Sequence, residues 1–483
     1  MLLGIDIGTT HSKVGLYSPD GSILSQGKLR NPKGIVGGFE HYLAEELWQG
    51  LADLIRETLE SSRQEVKALA ISSMGETGLL LDTSGKIVYP MIPWNDFRAQ
   101  TQCEQLVERI PAETWFRITG LHPNPIHSIF KWVWLQQQQP DLWQKGAIWL
   151  SSADFIRYKL CGEQHMELSQ ATRTMAYDVR QRAWSEELLE LVELPSGFLP
   201  PLADASQQVG EITATAASLT GLSAGTPIYA GGHDHVCASL ASGVVGAGIG
   251  LDSMGTAEGL TFGFQGTPDP SAFQGFCVGP HVVKDHTYLM GGLYSSGGTV
   301  AWFKDLFELT SFEELLELIA PINPGESPFF VPHFFGAAPP FSKPDAKAAF
   351  LDVEPGHGKA HFARAVYEGI AFEIRRHIEA FETLSQSSLE LLRVVGSSSH
   401  NQLWMHLRSA ILARRLELTQ NPDMVTLGAA LIAGIGSGIY EDAQDAIRSS
   451  FRAGEVFEPD PDWQASYEPL YQRYKRLVTA LTE

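Results

Sequence analysis

A carboxylate carried by an apolar strand into a turn of glycine and threonine opens this chain. The run Leu2-Leu3-Gly4-Ile5-Asp6-Ile7-Gly8-Thr9-Thr10-His11-Ser12-Lys13 ends one strand at the turn and starts a second near Lys13. Such a turn offers backbone N–H groups and two hydroxyls to a phosphate. Asp6 stands close enough in sequence to hold a metal ion or its waters. The spacing is neither that of a Walker loop nor that of a dinucleotide G-x-G-x-x-G turn. In the other half of the chain, Gly248-Ile249-Gly250-Leu251-Asp252-Ser253-Met254-Gly255-Thr256-Ala257-Glu258-Gly259-Leu260 repeats the plan of apolar residues, Asp, small residues, Gly-Thr and apolar strand. A polar β-turn after a strand would account for either run alone. One such hairpin per half is what a duplicated fold closing on a nucleotide requires.

The reacting group is expected in Ala230-Gly231-Gly232-His233-Asp234-His235-Val236-Cys237. A strand that ends in Gly-Gly exposes the next side chains at the carboxyl edge of a sheet, where open α/β sheets bind ligands. Asp234 there can take a hydroxyl proton while a phosphoryl group is transferred, a reaction that rests on positioning and charge stabilisation. His-Asp-His is also compatible with a metal site, but residues alternating along an extended segment should face opposite ways. Each histidine reads equally as a hydrogen-bonded structural residue. Ser72-Ser73-Met74-Gly75-Glu76-Thr77-Gly78 follows another buried strand, and Glu76 is either an acceptor for sugar hydroxyls or a solvated turn carboxylate. Trp94-Asn95-Asp96-Phe97-Arg98 pairs an aromatic platform with polar groups, or else a core tryptophan with an Asp–Arg surface pair. Glu258, two residues past Thr256, is expected to project towards the same cleft. Two turns suit a nucleotide base and ribose: Ser295-Ser296-Gly297-Gly298-Thr299 and Gly396-Ser397-Ser398-Ser399-His400-Asn401. Glycines often only make turns, so neither is specific alone.

The elements that must position these groups alternate between strand and helix, the mark of an α/β chain. Val66 to Ser73 reads as a buried strand after an amphipathic stretch at 43–62. Residues 127–138 read as a helix, and Ile148 to Ser151 as a strand leading to a helix that Asp154 would cap. Four glycines between Ser242 and Gly250 mark a boundary between domains at 1–243 and 244–483. The second half opens with strands around 249–264 and 285–293. A long helix follows at 361–384, then a strand at 391–395 and helices at 400–414 and from 426. The final amphipathic helix at 463–482 should pack back on the body. With 483 residues, 44% hydrophobic and 19% charged, the chain is too long for one ordinary core and too apolar to be disordered. A formal charge of −21 argues against nucleic acid as a partner. The four cysteines show no C-x-x-C spacing, so neither a zinc site nor a disulfide framework is expected. No signal peptide and no membrane span are expected, and a cytoplasmic enzyme is the reading. The sequence does not fix an oligomeric state and admits a homodimer.

Taken together, these segments resemble the FGGY family of carbohydrate kinases over essentially the whole chain, and the opening D-x-G-T-T turn is similar to the first phosphate loop of the wider actin, Hsp70 and sugar-kinase group. Pro90 to Arg98 resembles the family's P-x-I-x-W-x-D-x-R. Thr119-Gly120 with Phe130-Lys131-Trp132-Val133-Trp134-Leu135 resembles its T-G and K-x-x-W-L region. Ala363-Arg364-Ala365-Val366-Tyr367-Glu368-Gly369-Ile370-Ala371-Phe372 is similar to its R-A-x-x-E-G-x-A-F helix, and Leu427-Gly428-Ala429-Ala430 completes the pattern. The resemblance implies an α/β fold of two ribonuclease-H-like, actin-like domains with ATP, Mg2+ and a small sugar or polyol in the cleft between them. It puts Asp234 at the catalytic base, and Asp6 with Asp234 at the magnesium. Thr9, Thr10, His11, Lys13, Gly255 and Thr256 fall on the phosphate side, and Gly298, Gly396, Ser397 and Asn401 on the adenosine side. Gly75, Glu76, Trp94, Asp96, His235 and Glu258 fall, with Asp234, around the acceptor. Within the family the Asp234 and Glu258 segments look closest to L-fuculokinase and its ketose-kinase relatives. Four departures stand out. Gly75 replaces the arginine that precedes this glutamate in glycerol kinases, and the Met-His pair of xylulokinases is missing. Phe335-Gly336-Ala337-Ala338-Pro339-Pro340 lacks the arginine of G-E-R-x-P, and Asp423 stands where glutamate is common. The expected activity is ATP-dependent phosphorylation of a primary hydroxyl of a ketopentose or 6-deoxyketohexose. A glycerol- or tetritol-type polyol kinase, a sugar-binding pseudokinase and an actin- or Hsp70-like ATPase are the rivals.

Overall fold

The computed structural model describes residues 1–60 and 64–482, and every statement below concerns those residues. In the first of two large sheets, β1 (Leu2–Ile7), β2 (His11–Tyr17) and β3 (Ile23–Arg30) form an antiparallel meander. Strands β4 (Ala68–Ser73) and β6 (Pro227–His233) continue it in parallel with β1, and β5 (Gln208–Glu211) closes the edge antiparallel to β6. The second sheet repeats this plan. Strands β7 (Ile249–Met254), β8 (Glu258–Gln265), β9 (Cys277–Pro280) and β10 (His286–Leu293) pair antiparallel in the order β9-β10-β8-β7. Strands β11 (Leu391–Val395) and β12 (Arg415–Thr419) run parallel to β7, and β13 (Ala453–Phe457) lies antiparallel outside them. The central strands β1 and β4 are buried along their whole length, as sheets covered on both faces demand. The duplication read from two faint Gly-Thr runs is thus one of five strands, β1, β2, β3, β4 and β6 matching β7, β8, β10, β11 and β12, while β9 has no counterpart and β13 follows its neighbour in the chain where β5 precedes its own.

Seven helices matter for the site. These are α1 (Ser128–Gln138), α2 (Leu168–Arg173), α3 (Asp234–Ala241), α4 (Gly297–Leu306), α5 (Gln402–Leu412), α6 (Met424–Gly436) and α7 (Pro461–Thr482). Helices α3 and α6 lie between the sheets. Although α6 belongs to the C-terminal half of the chain, it packs on β1, β2, β4 and β6 of the first sheet as well as on α3. Their shared core draws Leu2, Ala70, Tyr229 and Leu240 from one half and Leu251, Tyr288, Leu427 and Leu431 from the other. Two glycines permit the approach. A Cβ on Gly4 would lie 1.9 Å from the Thr426 carbonyl oxygen, and one on Gly428 would lie 2.0 Å from that of Cys237.

The remaining elements fall close to expectation. The stretch expected at 43–62 is a helix over Ala44–Glu60, its last expected residues lying outside the described set. Asp154 does not begin its helix. Ser151 is the N-cap, and Asp154, inside the first turn, completes the cap with its side chain by accepting from Ser151 N–H at 3.1 Å. The long helix runs over Lys359–Ser385. Helix α7 buries Tyr467, Tyr471, Tyr474 and Val478 against the body. No helix is long and apolar enough to cross a membrane. Because Gly428 has no room for a side chain, Gly428→Val should lower the stability to urea by about 2–3 kcal/mol, the scale of overpacking in a close-packed core. An unchanged unfolding midpoint would mean that α3 and α6 can part without cost.

Candidate active site

The carboxyl ends of β1, β4 and β6 lie side by side, and each delivers one acidic residue. Asp6 is the penultimate residue of β1, Asp234 is the first residue of α3 after β6, and Glu76 follows β4. Asp6 is buried, and its Oδ1 has no hydrogen-bond partner. Burial, then the charges of Asp234 and Asp423, push its carboxyl well above the usual carboxylate range, with Lys13 opposing. Asp423 is the N-cap of α6, accepting from Thr426 N at 3.2 Å. It is the counterpart in the second half of Asp234, since each opens the helix that follows the last parallel strand. Asp423 also reaches back to the first sheet, 3.0 Å from Lys13 Nζ and 3.0 Å from Gln26 Nε2. Lys13, expected on phosphate, is therefore paired with a carboxylate from the other half of the chain.

Of these aspartates Asp234 is the open one, its side chain 24% exposed against 3% for Asp423. Its Oδ1 accepts from His235 N at 2.7 Å and lies 3.3 Å from His233 Nε2. The two histidines do not face opposite ways. His233 ends the strand and His235 is already in the helix, so their rings come within 5.5 Å. Burial holds His233 neutral, its pKa lowered to about 3. Its N–H donates to Ser169 Oγ at 2.9 Å, and Gln170 Nε2 bonds the carbonyls of Ser73 and Gly232, tying the ends of β4 and β6.

The first Gly-Thr turn is held by its carbonyls. Gly8 O accepts from Asn31 Nδ2 at 2.6 Å, Thr9 O from the Tyr42 hydroxyl at 2.8 Å and Thr10 O from Asn31 N at 2.9 Å. No acceptor among the described residues takes the N–H of Thr9 or Thr10. The second turn is held the same way. Gly297 N donates to Gly255 O at 3.0 Å, while Ser296 N and Gly298 N donate to Thr256 O at 2.9 and 3.0 Å. Committing carbonyls to the body leaves the Thr9 and Thr10 amide hydrogens of the first turn free, which is the condition for holding an anion, whereas in the second turn Gly255 N donates to Ala257 O at 3.0 Å.

Around Glu76 the structure supplies an arginine that no motif announced. Arg173, at the end of α2, donates from Nε to Glu76 Oε1 at 2.7 Å and again from Nη2. A Cβ on Gly75 would lie 2.7 Å from Arg173 Cγ, so Arg173 occupies the space over a position that glycine alone leaves free. Glu76 is thus a buried, paired carboxylate rather than a solvated one, and its backbone is strained at φ +55°. Trp94 Nε1 donates to Thr9 Oγ1 at 2.9 Å, linking the Trp94 loop to the first Gly-Thr turn. Asp96 and Arg98 are not a surface pair. The Arg98 side chain is fully buried between the rings of Phe39 and Trp134, 4.2 and 5.1 Å from their centroids, and bonds Asp96 through Nε and Nη2. Burial alone would raise the Asp96 carboxyl, but the Arg98 bonds outweigh it and hold it below its usual range.

Glu258 corrects the sequence reading. It does not project towards an acceptor. Its side chain is fully buried, Oε1 accepting from Arg408 Nη2 and Oε2 from Ser296 Oγ at 2.5 Å. Arg408 also bonds Asp252 Oδ2 at 2.5 Å. Asp252 is not the counterpart of Asp6 either. Asp6 stands one residue before the last pair of its hairpin, Ile7 with Ser12, whereas Asp252 stands two before Met254 with Glu258. One residue of offset reverses the face, so Asp252 turns away from α3 and α6 to Arg408 on α5. The glycines and Asn401 on the nucleotide side also have structural duties. A Cβ on Gly396 would meet Met254 O at 2.2 Å, and one on Gly298 would meet Thr256 Cγ2 at 3.1 Å. Asn401 caps α5, accepting from Trp404 N at 2.9 Å. The Ser397 side chain is outside the described set.

Arg173, Arg408 and Lys131 were missed as site residues. Each is a lone charge in an otherwise uncharged run, Leu168–Tyr177, Gln402–Leu412 and Ser128–Gln138. That signal was available. No group of three or more His, Cys, Asp or Glu side chains among the described residues is arranged to hold a metal. Asp6, with its orphaned oxygen beside two more carboxylates, fits a hydrated magnesium that completes its shell with water and phosphate.

Two lobes that share a five-strand plan, each with a Gly-Thr turn after its first strand, and carboxylates gathered at the carboxyl ends of the first sheet's parallel strands define the frame of a two-lobed phosphoryl-transfer protein. The N-terminal domain of the FGGY family of carbohydrate kinases matches residues 1–241, and the C-terminal domain matches residues 253–437. The chain belongs to the FGGY family of carbohydrate kinases and is an ATP:sugar phosphotransferase. It is 27% identical over 486 residues to a xylulose kinase of Bacillus subtilis, covering 99% of this chain and 96% of that one. It is 30% identical to a probable L-xylulose kinase of Pasteurella multocida, covering 99% and 98%. The crystal structure of xylulose kinase from Rhodospirillum rubrum shares the fold at a TM-score of 0.91, 23% identity and 99% and 98% coverage. Both relatives are named for xylulose rather than for a 6-deoxyketose.

Removing Arg408 would leave two buried carboxylates unpaired, so Arg408→Met should destabilise by about 3–5 kcal/mol, and Arg408→Met with Glu258→Gln and Asp252→Asn by much less. Urea unfolding of the single and triple variants checks this. Equal losses would mean that the triad's charges do not matter to one another.

Proposed function

We propose that this enzyme phosphorylates a primary hydroxyl of a small ketose, with a ketopentose as the leading acceptor and Asp234 as the base. The observation that carries the reading is the state of Asp234, the open carboxylate at the end of β6 with one oxygen held by His235 N–H. The other oxygen is then available to take the acceptor's proton as the γ-phosphoryl group departs from ADP. Glu76, fixed by Arg173, would accept from the sugar's other hydroxyls, with Trp94 as the apolar wall. His235 and Asp96 complete the acceptor side of this reading, and Glu258 is not part of it. Thr9, Thr10 and Thr256 would receive the phosphates on their amide and hydroxyl hydrogens, with Gly255, whose N–H is donated to Ala257 O, leaving room for the phosphates to approach the turn. The adenosine would lie against Gly298 and Gly396, near Ser397 and Asn401. Lys13 and His11 border the phosphate turn, and Lys13 would have to divide its charge between phosphate and Asp423. Asp6 and Asp234 would hold magnesium, which when bound neutralises phosphate charge. Closure of the lobes would exclude water, the competing acceptor.

ADP release should be measured with ATP and Mg2+ across ketopentoses, 6-deoxyketohexoses, gluconate, glycerol and tetritols. One ketose is expected to dominate, and Asp234→Ala should lower kcat by about 10²–10⁴-fold while leaving ATP affinity nearly unchanged. Retention of wild-type turnover by Asp234→Ala would sink the assignment of the base. Preference for a polyol would move the acceptor class, and sugar-independent hydrolysis would favour a regulatory ATPase.

A further inference from the structure

Lys131 sits on α1 with its side chain fully buried, and its ammonium has no carboxylate in contact. It donates instead to two backbone carbonyls, Glu76 O at 3.0 Å and Pro93 O at 2.8 Å. Those carbonyls belong to different loops. Glu76 O is the carbonyl of the central residue of the strained turn that Thr77 N closes by donating to Gly75 O at 2.6 Å, and Pro93 O immediately precedes Trp94. One ammonium therefore joins the loop that bears Glu76 to the loop that bears Trp94 and Asp96. Ser128 Oγ, one turn earlier on the same helix, adds a weaker bond to Glu76 O at 3.4 Å.

We infer that Lys131 is a positioning residue for the acceptor, which sets the distance between the Glu76 turn and the Trp94–Asp96 loop and so governs sugar affinity without touching the sugar. This rests on the acceptor reading given above. A backbone carbonyl gains most from a charged donor, because charge-assisted hydrogen bonds are roughly twice as strong as neutral ones. The groups that face the ammonium are the Glu76 carboxylate, Asp96 and Arg98 on the two loops and His127 at the head of α1. Burial holds His127 neutral. For Lys131 burial again dominates, lowering its pKa from 10.5 to about 7, with Glu76 and Asp96 opposing and Arg98 assisting. The tie between the loops is thus charged below about pH 7 and neutral above it.

Two consequences have opposite signs. Between about pH 7 and 10.5 the unfolded lysine holds its proton and the folded one does not, so this group's contribution to stability rises with pH. Over the same range the grip on Glu76 O and Pro93 O weakens, so acceptor binding falls. A residue that only filled the core would give the first effect without the second.

The test is steady-state kinetics with D- and L-xylulose as probe acceptors from pH 6 to 9, on wild type, Lys131→Met, Lys131→Arg and, as a control on the acceptor reading, Glu76→Gln. In wild type the acceptor KM should rise about five- to tenfold across neutrality while the ATP KM stays level. Lys131→Met should show the raised acceptor KM at every pH, and Lys131→Arg, always charged, a KM that does not change with pH. An acceptor KM in Lys131→Met equal to that of wild type at pH 6, with Glu76→Gln raised, overturns the inference and spares the acceptor reading. An acceptor KM unmoved in Glu76→Gln overturns both. If Lys131→Met does not fold, the contrast between wild type and Lys131→Arg decides, and parallel pH profiles in the two overturn it.

Discussion

The approach of α3 to α6 is the constraint on which the rest of the molecule depends. A helix from the second half of the chain lies against the first sheet because Gly4 and Gly428 leave no side chain between backbones. That contact puts the N-terminus of α6 beside the carboxyl end of β1, and with it Asp423 beside Lys13 and Asp6. Asp234, at the start of α3, faces the same point from the other half of the pseudo-repeat. Three carboxylates meet there because two helices cross closely between two sheets. Their mutual repulsion is a cost that a bound cation would relieve.

Buried positive charges form the second layer of the design. Arg173, Arg98, Lys131 and Arg408 are each withdrawn from water, and each holds a loop or turn end. Desolvating a cation is expensive unless its donors are satisfied by good geometry. Such a group therefore tolerates few alternative positions of the loop it binds. Arg408 fixes Glu258, Glu258 fixes Ser296, and the Ser296–Gly298 amides fix the carbonyls of the second Gly-Thr turn. The first turn reaches the same state with a neutral amide and a tyrosine, Asn31 and Tyr42. A shared strand plan in the two halves does not imply equal chemistry.

Much of this was legible in the sequence. The strand-turn runs at Asp6 and Gly255, the Gly-Gly that exposes Asp234 and the ordered family motifs are local patterns, and local patterns survive translation into structure. The buried strand at 68–73 was readable because a central parallel strand is covered on both faces, whereas the strand at 391–395 carries Arg393 at its centre and is buried only at Leu392 and Val394. What misled were inferences of direction. Glu258 was read towards the cleft from its distance to Thr256, and Asp252 was read as the echo of Asp6 from its distance to Gly255. Side-chain direction along a strand reverses at every residue, so an offset of one is invisible in a loose motif and decisive in a sheet. His233 and His235 failed as a pair for the converse reason, because a strand became a helix between them.

The sequence by itself determined the family, the two strand-to-turn Gly-Thr runs and the strand that ends in Gly-Gly before Asp234, because each is written within a short local motif. Only the tertiary structure decided their company. Arg173 lies 97 residues from Glu76, Asp423 is 410 residues from Lys13, and Arg408 is 150 residues from Glu258. No periodicity records such pairings. Each is made by the burial of a charge whose partner must come from wherever the packed helices and sheets bring one within hydrogen-bonding distance.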